Sequence, residues 1–133
     1  MKIAVNRCYG GFGLSAKAVK RIAELNGKEC YFYTGGFHSD YVRVYEPKGL
    51  MWTAFDCPVP ENSYDDDFYH DHYLTSYPED RTDPKLIQVI EELGSEADGD
   101  CANLQIIEIP DDVEYEIDEY DGIETIHEKH RSW

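Results

Sequence analysis

The segment Gly10-Gly11-Phe12-Gly13-Leu14-Ser15 is the first place in this 133-residue chain where residue types and spacing suggest chemistry. Three glycines in four positions lie between a strand-like and a helix-like stretch. Free backbone amides there, together with the positive end of a helix, favour an anion. Arg7, Lys17, Lys20 and Arg21 flank the loop. Arg7, Gly10, Gly11, Gly13, Ser15, Lys17 and Arg21 therefore form a candidate site for a nucleotide or another phosphorylated small molecule. The spacing matches neither G-x-x-x-x-G-K-[ST] nor a complete G-x-G-x-x-G, and no ribose-binding acid follows at the expected distance. The competing role for these glycines is a tight turn that lets strand and helix pack closely.

A second cluster is Asp65-Asp66-Asp67-Phe68-Tyr69-His70-Asp71-His72. On a strand, His70 and His72 would share a face as metal ligands do, yet spacing fixes no third ligand. The segment reads as a solvated acidic loop, and no metal or cofactor is assigned to the chain. His127-x-x-His130 lacks the glutamate and helix of a metalloprotease motif. The tail beyond it is expected to pack back through Arg131 and Trp133. There is no Gly-x-Ser-x-Gly elbow, and carboxylates are too abundant for any pair to stand out as acid and base. No catalytic residue is assigned, and a binding protein is favoured over an enzyme. Cys8, Cys30, Cys57 and Cys101 never fall as C-x-x-C, so they are expected to be small, mostly buried thiols of a reducing compartment.

Charge narrows the partners. Twenty-eight acids against twelve Lys and Arg give −16. Residues 1–28 carry six cations against Glu24 alone, net +5, and residues 29–133 are net −21. Such a field repels phosphate backbones and anionic lipids, so direct nucleic-acid or membrane binding is not expected. An acidic surface suits a protein partner with a basic face, because complementary charge raises on-rates and selects partners. The candidate residues for that contact are Glu114, Glu116, Asp118, Glu119 and Glu124, with Asp65, Asp66 and Asp67. No apolar run approaches the ~20 residues of a membrane helix, and the opening Met1–Arg7 lacks a signal peptide's apolar stretch.

The elements that must position these groups follow from pattern. Residues 2–8 predict a strand, and Ser15 caps a helix whose stripe is Ala18, Val19, Ile22 and Leu25, closed by Asn26-Gly27. Strands are predicted at 28–34 (ended by Gly35-Gly36), 41–46 and 50–56. Residues 58–82 read as a long acidic, tyrosine-rich loop. Asp83-Pro84 starts a second helix with Leu86, Ile87, Ile90 and Leu93 inward, stopped by Gly94. A strand at 104–109 ends at Pro110. Val113, Tyr115 and Ile117 then alternate with Glu114, Glu116 and Asp118, and Asp121-Gly122 marks a hairpin turn. A two-residue turn sets Tyr120 against Ile123 and Ile117 against Ile126.

The start Asn6-Arg7-Cys8-Tyr9-Gly10-Gly11-Phe12-Gly13-Leu14-Ser15 resembles that of small uncharacterised proteins of bacteriophages and prophages. So does the tail, from Asp83-Pro84 to Leu93-Gly94, through Ile107-Glu108-Ile109-Pro110 and Glu119-Tyr120-Asp121-Gly122, to His130-Arg131-Ser132-Trp133. The likeness covers roughly both ends and implies a viral or mobile-element origin and a setting in the cytoplasm of a bacterial host. It brings no reaction and no catalytic residues.

The expected fold is one α+β domain over 1–133: a small mixed or antiparallel sheet of five to seven strands, two helices on one face, and a C-terminal β-hairpin. The expected function is non-enzymatic. The chain would inhibit or modulate a host protein, for example in anti-defence, by occupying a basic nucleic-acid-binding surface. Binding of a nucleotide or other phosphorylated molecule at the glycine loop is the alternative.

Overall fold

The computed structural model describes residues 1–34, 41–47, 51–60 and 66–128. Asp65, the Gly35-Gly36 strand end and the tail with His130, Arg131 and Trp133 lie outside them. Within them the chain is α+β, with three helices and eight strands in small antiparallel sheets. The two predicted helices form where their caps place them. Helix α1 (Ala16–Leu25) begins where the Ser15 hydroxyl accepts the Ala18 N–H. The next full helix in the predicted set, Pro84–Leu93, begins where the Asp83 carboxylate accepts the Lys85 N–H.

Strand β1 (Lys2–Asn6) is followed by α1, then by β2 (Tyr31–Thr34), β3 (Val42–Val44) and β4 (Thr53–Phe55). The stretch read as loop at 58–82 holds a short helix, α2 (Asp66–His72), and a two-residue strand, β5 (Tyr73–Leu74). That corrects the sequence reading: Asp66 and Asp67 open a helix, and no turn chemistry announced it. The Pro84–Leu93 helix is α3. It runs into a 3₁₀ turn at Gly94–Ala97 before β6 (Leu104–Glu108), β7 (Tyr115–Tyr120) and β8 (Ile123–Glu128).

The expected single sheet of five to seven strands is instead three sheets: β1–β6, β3–β2–β4–β5 and β7–β8. Single-strand periodicity says nothing about which strands pair, and the longest-range pairing here joins Lys2 to Glu108. Helix α3 packs on β1, β6 and α1. Ile3, Ala4 and Val5 are fully buried in succession, with Leu86, Val89 and Phe55. A continuous apolar run of this kind marks a strand covered on both faces.

The free edge of β1 is closed by one backbone carbonyl and one side-chain carboxylate. Its other edge pairs with β6, so the amides of Ala4 and Asn6 point outward. The Ala4 N–H donates to the Arg81 carbonyl at 2.9 Å, and the Asn6 N–H donates to Glu124 Oε1 at 2.8 Å. Buried amides need such partners, and an open strand edge invites aggregation. The Arg81 guanidinium in turn grips both Glu124 oxygens, at 2.5 and 2.9 Å, and lies 3.7 Å above the centre of the Phe12 ring. One arginine thus joins β1, the glycine loop and the C-terminal hairpin.

No helix among the described residues is long and apolar enough to cross a membrane.

Candidate functional site

The C-terminal hairpin has the anticipated register. Tyr120 faces Ile123 and Ile117 faces Ile126. Asp121 and Gly122 both take positive φ, 50° and 90°, the pair of angles that a type I′ turn requires. Glycine at 122 has a further reason: a β-carbon there would lie 2.1 Å from the Gly11 nitrogen. The hairpin tip is pressed against the glycine loop.

Strand β7 begins at Tyr115, two residues later than the pattern predicts. Glu116 and Asp118 on it and Glu114 just before it are exposed, whereas Tyr115, Ile117 and the preceding Val113 are half-buried. The alternation is as expected. The depth of the inward residues is less, because the two-stranded ribbon is covered only in part. Asp118 lies 3.1 Å from His127 on the neighbouring strand. Glu119 is exposed and accepts the Gly122 N–H at 2.5 Å, so it also holds the turn.

Glu124 corrects the sequence reading outright. As a candidate for partner contact it would need to be accessible, but it is 6% exposed and bound by Arg81 and the Asn6 amide. It stands opposite Glu119 on the inward face, where like charges would repel. The guanidinium neutralises it. The signal that was missed is Arg81, the only Lys or Arg between Leu50 and Pro84.

The glycine loop borders a cleft of about 550 Å³, lined also by Trp52, Tyr73, Tyr77, Asp98 and Asp100. Several loop groups are already committed to the fold. The Gly10 N–H donates to the Asp121 carbonyl at 3.2 Å, Leu14 to Ser76 at 3.0 Å and Ser15 to Ala97 at 2.9 Å. The Gly13 carbonyl accepts the Gly99 N–H at 2.8 Å. A β-carbon on Gly10 would meet that of Cys101 at 2.6 Å. Close packing thus explains Gly10 without a ligand.

Two of the nearby cations are paired with acids outside the cleft. Lys17 pairs with Glu96 at 2.9 Å, and Arg21 pairs with Glu92 at 3.0 Å and Glu24 at 3.2 Å. Lys2 pairs with Glu91 at 3.0 Å. The hydrogen bond between Arg21 and Glu92 raises the guanidinium pKa and lowers that of the carboxylate. Arg7 is half-buried, and its backbone N–H donates to the Asn103 carbonyl at 2.8 Å. Three cations of the basic N-terminal segment, Lys2, Lys17 and Arg21, are therefore laid along the acids of α3 and its 3₁₀ turn. Among the described residues, the cleft walls carry two aspartates and no Lys or Arg. Such walls disfavour a phosphate.

Cys8, Cys30 and Cys57 are half-buried and Cys101 is exposed, all as free thiols. Burial pushes the Cys30 thiol up to about 11 and raises that of Cys57, where the Asp56 charge adds to it. Neither is primed as a nucleophile, which requires a lowered thiol pKa.

His70 and His72 sit on α2, not on a strand. Two residues apart on a helix, they do not face each other. His72 instead meets Asp56, its Nδ1 2.7 Å from Oδ1, with Cys57 beside them.

No protein-family model matches this chain, and neither a curated protein nor a solved structure is significantly similar to it.

Proposed function

We propose that this is a non-enzymatic binding protein whose C-terminal hairpin docks on a basic surface of another protein. One observation carries the reading. Residues 111–121 hold seven carboxylates and no Lys or Arg, and Glu114, Glu116, Asp118 and Asp121 are exposed on and just before one two-stranded ribbon. The N-terminal cations that would offset them, Lys2, Lys17 and Arg21, are engaged by acids on and beside α3. The field over the ribbon is thus left to its partner. Carboxylates at strand spacing suit a groove built for phosphates, so a nucleic-acid-handling host protein is the partner class proposed. The proposed role, following what the sequence resemblance implies, is to inhibit or modulate such a host protein in the host cytoplasm.

The test is the variant Glu114→Lys/Glu116→Lys/Asp118→Lys. Exposed changes typically shift stability by about 0.5 kcal/mol or less, so its denaturation midpoint should stay near that of the parent. Affinity capture from bacterial lysate should recover a basic partner with the parent protein at low salt, less of it at moderate salt, and far less with the variant. Equal capture by both proteins would leave the acidic face as mere solvated surface.

A second reading rests on the cleft. Its aromatic and acidic lining favours an uncharged or cationic ring compound over the phosphorylated ligand suggested by the glycine loop alone. Thermal-shift screening should then show concentration-dependent stabilisation by nucleosides or heteroaromatic amines and none by nucleotides. Stabilisation by nucleotides alone would restore the phosphate reading.

A further inference from the structure

We infer that Asp56, Cys57 and His72 form a binding site for one zinc-class cation, at the junction of β4 with α2 and β5. The three side chains offer a carboxylate oxygen, a sulfur and an imidazole nitrogen, all within 4.8 Å of one another. This N, O, S donor set is the kind that zinc takes, whereas magnesium and calcium favour sites made of oxygen alone. Zinc bonds of about 2.0–2.3 Å put tetrahedral donors roughly 3–4 Å apart, so the 2.7 Å hydrogen bond between His72 and Asp56 would open slightly as the three donors gather round the ion.

The backbone already holds the two segments in place. Asp56 and Cys57 lie in a bend directly after β4, and His72 is the last residue of α2. The Asp56 N–H donates to the His72 carbonyl at 2.9 Å, and the next residues on either side, Phe55 and Tyr73, are ladder partners. Phe68, one turn earlier on α2, lies against the imidazole with ring centres 4.8 Å apart and limits its swing. Lys28 Nζ is 3.7 Å from Asp56 Oδ2, leaving Oδ1 to face the histidine. Three protein ligands with a partly exposed histidine leave a fourth position open to water or to a partner's side chain. The cation would strap the α2–β5 segment onto β4.

Reduced, metal-stripped protein titrated with Zn²⁺ against a chromophoric chelator should bind one ion per chain, and Zn²⁺ should raise the unfolding temperature. Co²⁺ should give a thiolate-to-cobalt charge-transfer band together with tetrahedral visible bands. Cys57→Ser keeps the side-chain size, so it should fold, lose the charge-transfer band and weaken zinc binding by about 100-fold or more. His72→Ala should weaken binding at least about tenfold, and Cys30→Ser and Cys101→Ser should leave it unchanged. Substoichiometric binding, a missing thiolate band in the parent, or zinc affinity that survives Cys57→Ser would each overturn the site.

Discussion

Arg81→Met is expected to destabilise the protein by about 3–5 kcal/mol, measured as the shift in urea midpoint at unchanged slope. The change strands the Glu124 carboxylate, which is nearly fully buried and would keep only the Asn6 amide of its present partners. It also removes the cation stacked on Phe12. The Arg81 carbonyl still accepts the Ala4 N–H, so the loss is read on the side chain rather than on the backbone bridge. Arg81→Met/Glu124→Gln should recover part of the loss, because a neutral amide oxygen still accepts from Asn6 and no buried charge remains. A coupling of at least about 1 kcal/mol in the double-mutant cycle is expected. If the single change costs less than about 1 kcal/mol, the pair is solvated and does not close the β1 edge.

Asn6→Asp is the second large effect expected, about 3 kcal/mol or more at neutral pH. Asn6 is fully buried and uses its whole amide. Nδ2 donates to the carbonyls of Cys8 at 2.7 Å and Gly122 at 2.6 Å, and Oδ1 accepts the N–H groups of Cys8 at 3.3 Å and Asn103 at 2.8 Å. That one side chain fixes the end of β1, the hairpin tip and the chain leading into β6. A carboxylate would set a negative oxygen against two carbonyl oxygens. Its pKa in the folded protein would rise above the ordinary aspartate value of about 4. A raised acid pKa means that the folded state holds the proton more tightly than the unfolded chain does. The deficit should therefore be smallest below about pH 4 and grow as pH rises through the folded-state value. A stability difference from the parent that is flat between pH 4 and 8 would show that the new carboxylate reaches water.

Much of the local structure was legible in the residues themselves. Ser15, Asp83-Pro84 and Gly94 bound two helices because caps act within one turn, through side-chain and backbone atoms a few residues apart. Asp121-Gly122 set the register of the hairpin and the exposure of Glu114, Glu116 and Asp118, because a two-residue turn and period-2 alternation leave one pairing that matches apolar to apolar. Tertiary structure decided what depends on partners distant in the chain. Glu124 follows the strand alternation, and only Arg81, 43 residues earlier, makes its inward position tolerable. The division of the eight strands among the described residues into three sheets reflects contacts such as β1 with β6, which no local pattern encodes. The Asp56–His72 contact arises the same way, from a ladder between β4 and a two-residue strand too short to carry a periodic signal. Even the glycine loop took its meaning from elsewhere: Gly10 and Gly122 are small because Cys101 and Gly11 lie against them. Propensities and turns act within a few residues and can be read from the chain directly, whereas a buried charge or a close backbone approach is defined by the neighbour that folding delivers.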